Sequence, residues 1–402
     1  MSPTFAELGV SPAVVAALAE RGVTEPFAIQ VEAIPAALQG HDVCGKAPTG
    51  SGKTLAFGIP LVERVGQANP SRPRALVLVP TRELAAQIAR ELRPLLKARS
   101  RRVAEVYGGV GFNPQIDRLR RGVDVLVACP GRLADLVKRG DVALEDVDLV
   151  VLDEADRMAD MGFLPEVRRL LDRTNPQRQT MLFSATLDGD VDVLVRRYQR
   201  APVVCEVQPA EDDTADAERV VHRFVETTRA DRVELTAKLV VEHGSTIVFC
   251  RTKHGADRVA RVLARSGVAA VAIHGNRSQG QRERALAAFT AGDVQALVAT
   301  DVAARGIHVD DVGCVVHFDL PADAKAYIHR SGRTGRAGGV GVVVAFVTEE
   351  DADLGKRLRR DLASVTGEVP ASPAKREPQK NNGRHNRRPG TRNRSGSRAQ
   401  RR

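Results

Sequence analysis

Short runs of valine and leucine, each followed by a longer amphipathic stretch, constrain the fold of this chain more than any other feature. Arg74-Ala75-Leu76-Val77-Leu78-Val79, Asp124-Val125-Leu126-Val127-Ala128 and Val147-Asp148-Leu149-Val150-Val151-Leu152 are apolar at consecutive positions, not at alternate ones. That pattern suits a strand covered on both faces. Helical patterns separate the runs. Residues 82–99, for instance, are apolar at Leu84, Ile88, Leu92 and Leu95, one stripe on a 3.6-residue period. Parallel strands need crossover connections, and helices supply them compactly, so the alternation predicts a parallel, doubly wound α/β sheet.

The pattern occurs twice. Residues 208–219 are polar, acidic and aperiodic and read as a flexible linker. Beyond them the alternation restarts, with strands expected at 246–250, 269–273, 295–300, 314–318 and 341–347, and helices at 253–266, 279–290 and 323–331. The expected organisation is therefore two α/β domains, 1–207 and 220–366. A length of 402 residues supports two cores more readily than one. From 367 to 402 the composition turns to Arg, Asn, Gly, Ser and Pro, which predicts a disordered basic tail. The net charge of +10 resides there: 371–402 hold eleven Lys or Arg against Glu377, and the preceding 370 residues balance at 49 basic and 49 acidic groups.

No apolar run reaches the length of a membrane span, and the start Met1-Ser2-Pro3-Thr4-Phe5 lacks the basic-then-apolar pattern of a secretory signal. Cys44, Cys129, Cys205, Cys250 and Cys314 lie far apart, without metal-ligand spacing or a disulfide framework. They read as small buried hydrophobes, and a cytoplasmic home is expected.

Two motifs carry chemistry. Ala47-Pro48-Thr49-Gly50-Ser51-Gly52-Lys53-Thr54 follows a short apolar stretch and opens the helical run 55–65. Glycines at 50 and 52 let backbone N–H groups converge on phosphate oxygens, Lys53 reaches the β and γ phosphates, and the Thr54 hydroxyl suits Mg²⁺. About a hundred residues on, a strand ends in Asp153-Glu154-Ala155-Asp156. Ligands bind at the carboxyl ends of parallel strands, so these acids are expected in the same crevice. Asp153 fits a metal-side carboxylate and Glu154 a group that orients and deprotonates water. Alone, the two motifs support an Mg²⁺-dependent nucleotide hydrolase.

Across nearly all of 5–347 the sequence resembles the DEAD-box ATP-dependent RNA helicases, whose fold is two RecA-like domains. Phe5, Gly22, Pro26, Ile29 and Gln30 are similar to the adenine-reading Q motif. The resemblance implies that Phe5 stacks on the base and Gln30 bonds its edge, selecting ATP. It also implies an RNA face: Thr81 and Arg82 in Pro80–Ala85, Gly108-Gly109, Pro130-Gly131-Arg132, Arg251-Thr252, Gln279 with Arg282, and Thr300-Asp301. Asp301 is assigned to the nucleotide as well. Ser184-Ala185-Thr186 and His329-Arg330 would couple hydrolysis to unwinding, and Arg333 and Arg336 would reach the γ phosphate from the far domain. Departures from the family pattern are Ala47 for Gly, Phe27 and Cys129 for Thr, Ser331 for Ile, and His308 for an Asp that contacts ribose, with Asp310 and Asp311 nearby.

Neither half then holds a complete ATPase, so ATP and RNA would close the domains to assemble one. Backbone contacts imply RNA binding without sequence specificity and with steep salt dependence. A monomer is expected, with ribonucleoprotein or degradation-machinery partners and no membrane partner. The short basic tail, similar to the RhlE-like bacterial branch, would tether RNA. A DNA-directed motor and a non-enzymatic RNA clamp remain the alternative readings.

Overall fold

The computed structural model describes residues 3–48, 50–207, 220–304, 309, 312–335 and 341–366, without the side chains of 302 and 364–366. The expected linker 208–219, the tail 367–402, Thr49, His308, Asp310, Asp311 and Arg336 lie outside the described residues.

Two sheets organise the chain. The first comprises β1 (Val43–Lys46), β2 (Ala75–Leu78), β3 (Val103–Val106), β4 (Val125–Ala128), β5 (Leu149–Asp153), β6 (Gln179–Ser184) and β7 (Val203–Glu206). Their order is β3-β4-β2-β5-β6-β1-β7, and every pairing is parallel. The second comprises β8 (Val220–Glu226), β9 (Thr246–Cys250), β10 (Ala270–Ile273), β11 (Ala296–Thr300), β12 (Cys314–His317) and β13 (Gly341–Val347). Its order is β10-β11-β9-β12-β13-β8, again parallel throughout. This is the α/β, two-sheet class expected from the alternation.

Consecutive apolar residues serve both faces of each sheet. Ala75, Val77, Leu149 and Val151 enter one core of the first domain, and Leu76, Leu78, Val150 and Leu152 the other. In the second domain Ile247 and Phe249 point one way, Val248 and Cys250 the opposite way. The predicted helix at 82–99 is Arg82–Ala98, and it buries Leu84, Ile88, Leu92 and Leu95 against the first sheet. Thr81 caps it, its Oγ1 accepting the Leu84 N–H at 3.3 Å. All five cysteines are free and buried. No helix among the described residues is long and apolar enough to cross a membrane.

Strand order positions the chemistry. β6 lies between β5 and β1, so Asp153, Ser184 and the Lys46–Ala47 junction emerge side by side at the carboxyl edge. That edge is where an open parallel sheet forms its crevice.

Candidate functional site

The glycine loop leaves β1 and enters the helix Lys53–Arg64, with Gly52 as its left-handed N-cap at φ +84°. The Ala47 N–H donates to the Ser184 carbonyl at 3.1 Å, tying the loop to β6. Lys53 Nζ folds back to donate to the Ala47 carbonyl at 2.9 Å, and Ser51 Oγ donates to the Pro48 carbonyl at 2.8 Å. Gln30 braces the other side: its amide donates to the Gly52 carbonyl at 2.9 Å and accepts the Phe27 N–H at 3.0 Å. Position 52 requires glycine for its positive φ. A Cβ there would also stand 2.5 Å from both Gln30 Nε2 and Phe27 Cδ2.

Phe5 differs from its sequence expectation. It is 2% exposed and packs into the first core with Leu8 and Val10. Its ring therefore presents no open face to a base.

The acidic tetrad follows β5. Asp153 is 3% exposed, and its Oδ1 accepts the Glu154 N–H at 3.0 Å. Burial pushes its carboxyl up to about 7, against the pull of Lys53 and with Glu154 adding to the rise. Glu154 is left-handed at φ +52°, a costly conformation for a side-chain-bearing residue. Its Oε2 accepts from Arg157 Nη1 at 2.7 Å, both side chains nearly buried. Ser184 Oγ accepts the Asp156 N–H at 3.2 Å. Ser184 thus holds the tetrad with its hydroxyl and the glycine loop with its carbonyl. Ala185 is exposed and Thr186 half-buried beyond it.

These residues fit Mg²⁺ held in company with phosphate. Asp153 carries a charge that its surroundings penalise and a cation would support. No group of three or more His, Cys, Asp or Glu stands ready for a metal among the described residues. Mg²⁺ commonly takes one or two protein ligands and completes its shell with phosphate and water.

The second sheet presents a denser polar face. Arg330, 5% exposed, makes a two-pronged pair with Asp301 at 2.6 and 2.7 Å, donates to the Asp319 carbonyl at 2.9 Å, and lies 5.1 Å over the Phe249 ring. Asp301, expected at the nucleotide, is held by this pair, and with its side chain a third exposed it also lines the cavity beside Arg333. Arg251 is exposed and its backbone N–H donates to Asp319. Thr252 caps the helix Lys253–Arg265 by accepting the Gly255 N–H at 3.0 Å. Thr300 closes β11, nearly buried.

The two halves meet over the tetrad. Arg333, 7% exposed, and His329 line a narrow cavity with Arg157 of the first domain. Burial holds the His329 imidazole below its ordinary pKa, with Arg157 acting in the same sense. Lys325 Nζ donates to Asp160 at 2.8 Å across the same boundary. Arg282 also crosses it. Expected as an RNA contact, it lies 3.0 Å from Glu83 with both side chains buried. Burial lowers its pKa and Glu83 opposes that. Gln279 is buried nearby and donates to Glu283 at 3.2 Å.

The remaining first-domain positions cluster on one surface. The Arg82 guanidinium passes so close to Gly109 that a Cβ there would stand 2.1 Å from Nη1. Arg132 donates to the Val110 carbonyl at 2.9 Å and stacks 4.0 Å over Phe112. Pro130 is buried, and Gly131 is exposed beside it. Sequence reasoning passed over Arg157, Glu83 and the Gln30–Gly52 brace. Glu83, Gln30 and Gly52 lie inside recognised motifs, but nothing local announces which partner each takes, in the case of Glu83 one 199 positions away.

Residues 27–194 match the DEAD/DEAH box helicase family model and 231–338 the helicase conserved C-terminal domain. A DEAD-box ATP-dependent RNA helicase CshA of Geobacillus kaustophilus is 41% identical over 350 residues, 87% of this chain and 74% of that protein. DEAD-box ATP-dependent RNA helicase 9 of rice is 40% identical over 91% of this chain and 59% of its own length. The chain spans about three fifths of such longer relatives. The structure of Saccharomyces cerevisiae Dbp5 bound to RNA and ADP BeF3 superposes with a TM-score of 0.77 at 28% identity, covering 92% of this chain and 95% of that one.

Proposed function

Because the chain belongs to the DEAD-box ATP-dependent RNA helicase family, we propose that it couples ATP hydrolysis to local, non-sequence-specific unwinding or remodelling of RNA duplexes and RNA–protein complexes. The observation that carries this reading is the meeting of the two domains at the acidic tetrad. Arg333 and His329 face Arg157, and Arg157 holds Glu154. Similarity over 92% of the chain to a relative solved with RNA and ADP BeF3 supports the same reading.

Lys53 and the loop amides at Gly50, Ser51 and Gly52 grip the phosphates, and Glu154 orients the attacking water. Arg333, with Arg336, steadies charge on the transferring group. Thr54 and Asp153 would hold Mg²⁺, which neutralises phosphate oxygens when bound. RNA is held by sugar–phosphate contacts from Arg82, the Gly108-Gly109 turn, Gly131-Arg132, Arg251 and Thr252, all free of base readout. Ser184, bonded at once to loop and tetrad, relays movement between them. The free buried cysteines favour a reducing cytoplasmic setting. Ribonucleoprotein partners and a monomeric state complete the proposal.

Phosphate release and RNA strand displacement, measured with and without ATP, test the reading. RNA should stimulate release well above the level with DNA, and Lys53→Ala should abolish both activities. Equal stimulation by DNA would favour a DNA-directed motor. Strand annealing without any ATP turnover would favour a clamp.

A further inference from the structure

Phe27 breaks two local rules at once. It occupies the N-cap of the helix Ala28–Leu38, a position where Ser, Thr, Asp or Asn accepts an otherwise unpaired N–H and a phenyl ring accepts nothing. It is also 61% exposed, the sole aromatic among the large hydrophobic side chains exposed in the described residues. Both features cost stability, and departures of this kind collect at functional positions. The ring lies against the glycine loop, with Cδ2 2.5 Å from where a Cβ of residue 52 would be. Its own backbone N–H is held by Gln30, whose amide reaches the Gly52 carbonyl. An open aromatic face therefore stands where a nucleotide anchored on that loop would carry its base. Phe5, to which the family resemblance gives the stacking role, is packed in the core at 2% exposure.

We propose that Phe27 is the aromatic platform on which the base of the bound nucleotide stacks. The assignment rests on the nucleotide-site reading above and deepens it. Stacking favours any base with a π face, so Phe27 supplies affinity for ATP and GTP alike. Discrimination between them falls to edge-bonding groups.

The sequence contains no tryptophan, which makes Phe27→Trp a clean reporter. The indole emission of that variant should be quenched saturably by ADP and should not respond to tripolyphosphate, which has no base. Phe27→Ala should raise the dissociation constants of ADP and GDP about tenfold by the same factor, with tripolyphosphate binding unmoved. In turnover the loss should fall on KM for ATP more than on kcat. Phe27→Thr restores a capping hydroxyl, so it should raise Tm while weakening ADP as the alanine variant does. That opposition separates a ligand role from a structural one. The proposal is overturned if Phe27→Ala binds ADP with wild-type affinity, or if the emission of the Phe27→Trp variant ignores saturating ADP. If the wild-type chain binds no ADP at all, the nucleotide-site reading falls with it.

Discussion

The carboxyl edges of the two sheets face one another and are built on opposite principles. The first is under tension: Glu154 sits at φ +52°, Asp153 is pushed up to about 7 by burial, and Lys53 rests on a carbonyl of its own loop. The second is compensated almost completely. Arg330 satisfies Asp301 twice and the Asp319 carbonyl once. The His317, Tyr327 and Phe224 rings stack beneath it at centroid spacings of 4.3 and 5.6 Å. One edge holds groups that a ligand's charge would relax, and the other is a compensated plate from which Arg333 lines the shared cavity. Catalytic groups need not be shared evenly between two halves when one half stores the chemistry and the other stores the geometry.

Four changes probe this contrast. Arg333→Ala removes the plate's contribution and should cut RNA-stimulated phosphate release about 10³-fold or more. A collapse of thermal stability with only proportional loss of rate would make Arg333 part of the plate's scaffold instead. Glu154→Gln should lower turnover about 10²-fold while ATP binding persists. Gln keeps an oxygen for Arg157 but removes that guanidinium's countercharge, so Tm should fall modestly, and retention of full turnover would remove Glu154 from the chemistry. Arg330→Met strikes the compensated edge and should cost about 2–3 kcal/mol of stability in denaturant unfolding, the lower range for a buried pair because Asp301 is partly open to water. The smallest effect concerns pH. Burial, reinforced by Arg330, holds the His317 imidazole well below 6.5. The unfolded chain therefore takes up a proton there before the folded one does, and stability falls as pH drops below about 6.5. His317→Asn should flatten that limb of the Tm profile; an unchanged limb would place the acid sensitivity elsewhere.

The sequence disclosed most of the strands buried on both faces, but not β6, which is buried throughout yet opens on the polar pair Gln179-Thr180. The runs read at 246–250 and 341–347 coincide with β9 and β13, and those at 74–79 and 124–128 overrun β2 and β4 by a residue or so. It was silent on β3, β7 and β8, all half-exposed edge or near-edge strands whose residues need not be apolar in series. At the site, spacing located Lys53, Asp153 and Glu154, because backbone geometry and charge there demand particular residues in a short segment. It could not locate the Arg157 clamp on Glu154, nor the withdrawal of Phe5 into the core. Those outcomes depend on which side chains win a shared space, and local pattern carries no record of that competition. Arg282 is a case of the same kind, held by an opposite charge that the fold brings near.

The Glu83–Arg282 pair has a consequence for how the molecule lets go. The two charges are 3.0 Å apart and dry, yet Glu83 Oε1 makes no aligned hydrogen bond and burial drags on the Arg282 guanidinium. Such a pair recovers only part of the hydration each ion surrenders. It fixes the register in which the halves mate but contributes little to keeping them mated. Rewetting this pair depends little on ionic strength, while salt weakens the exposed Lys325–Asp160 pair and, more steeply, the grip on a polyanion. The molecule would open on the schedule of its ligands' departure, with neither cross-boundary pair a strong bolt to delay it.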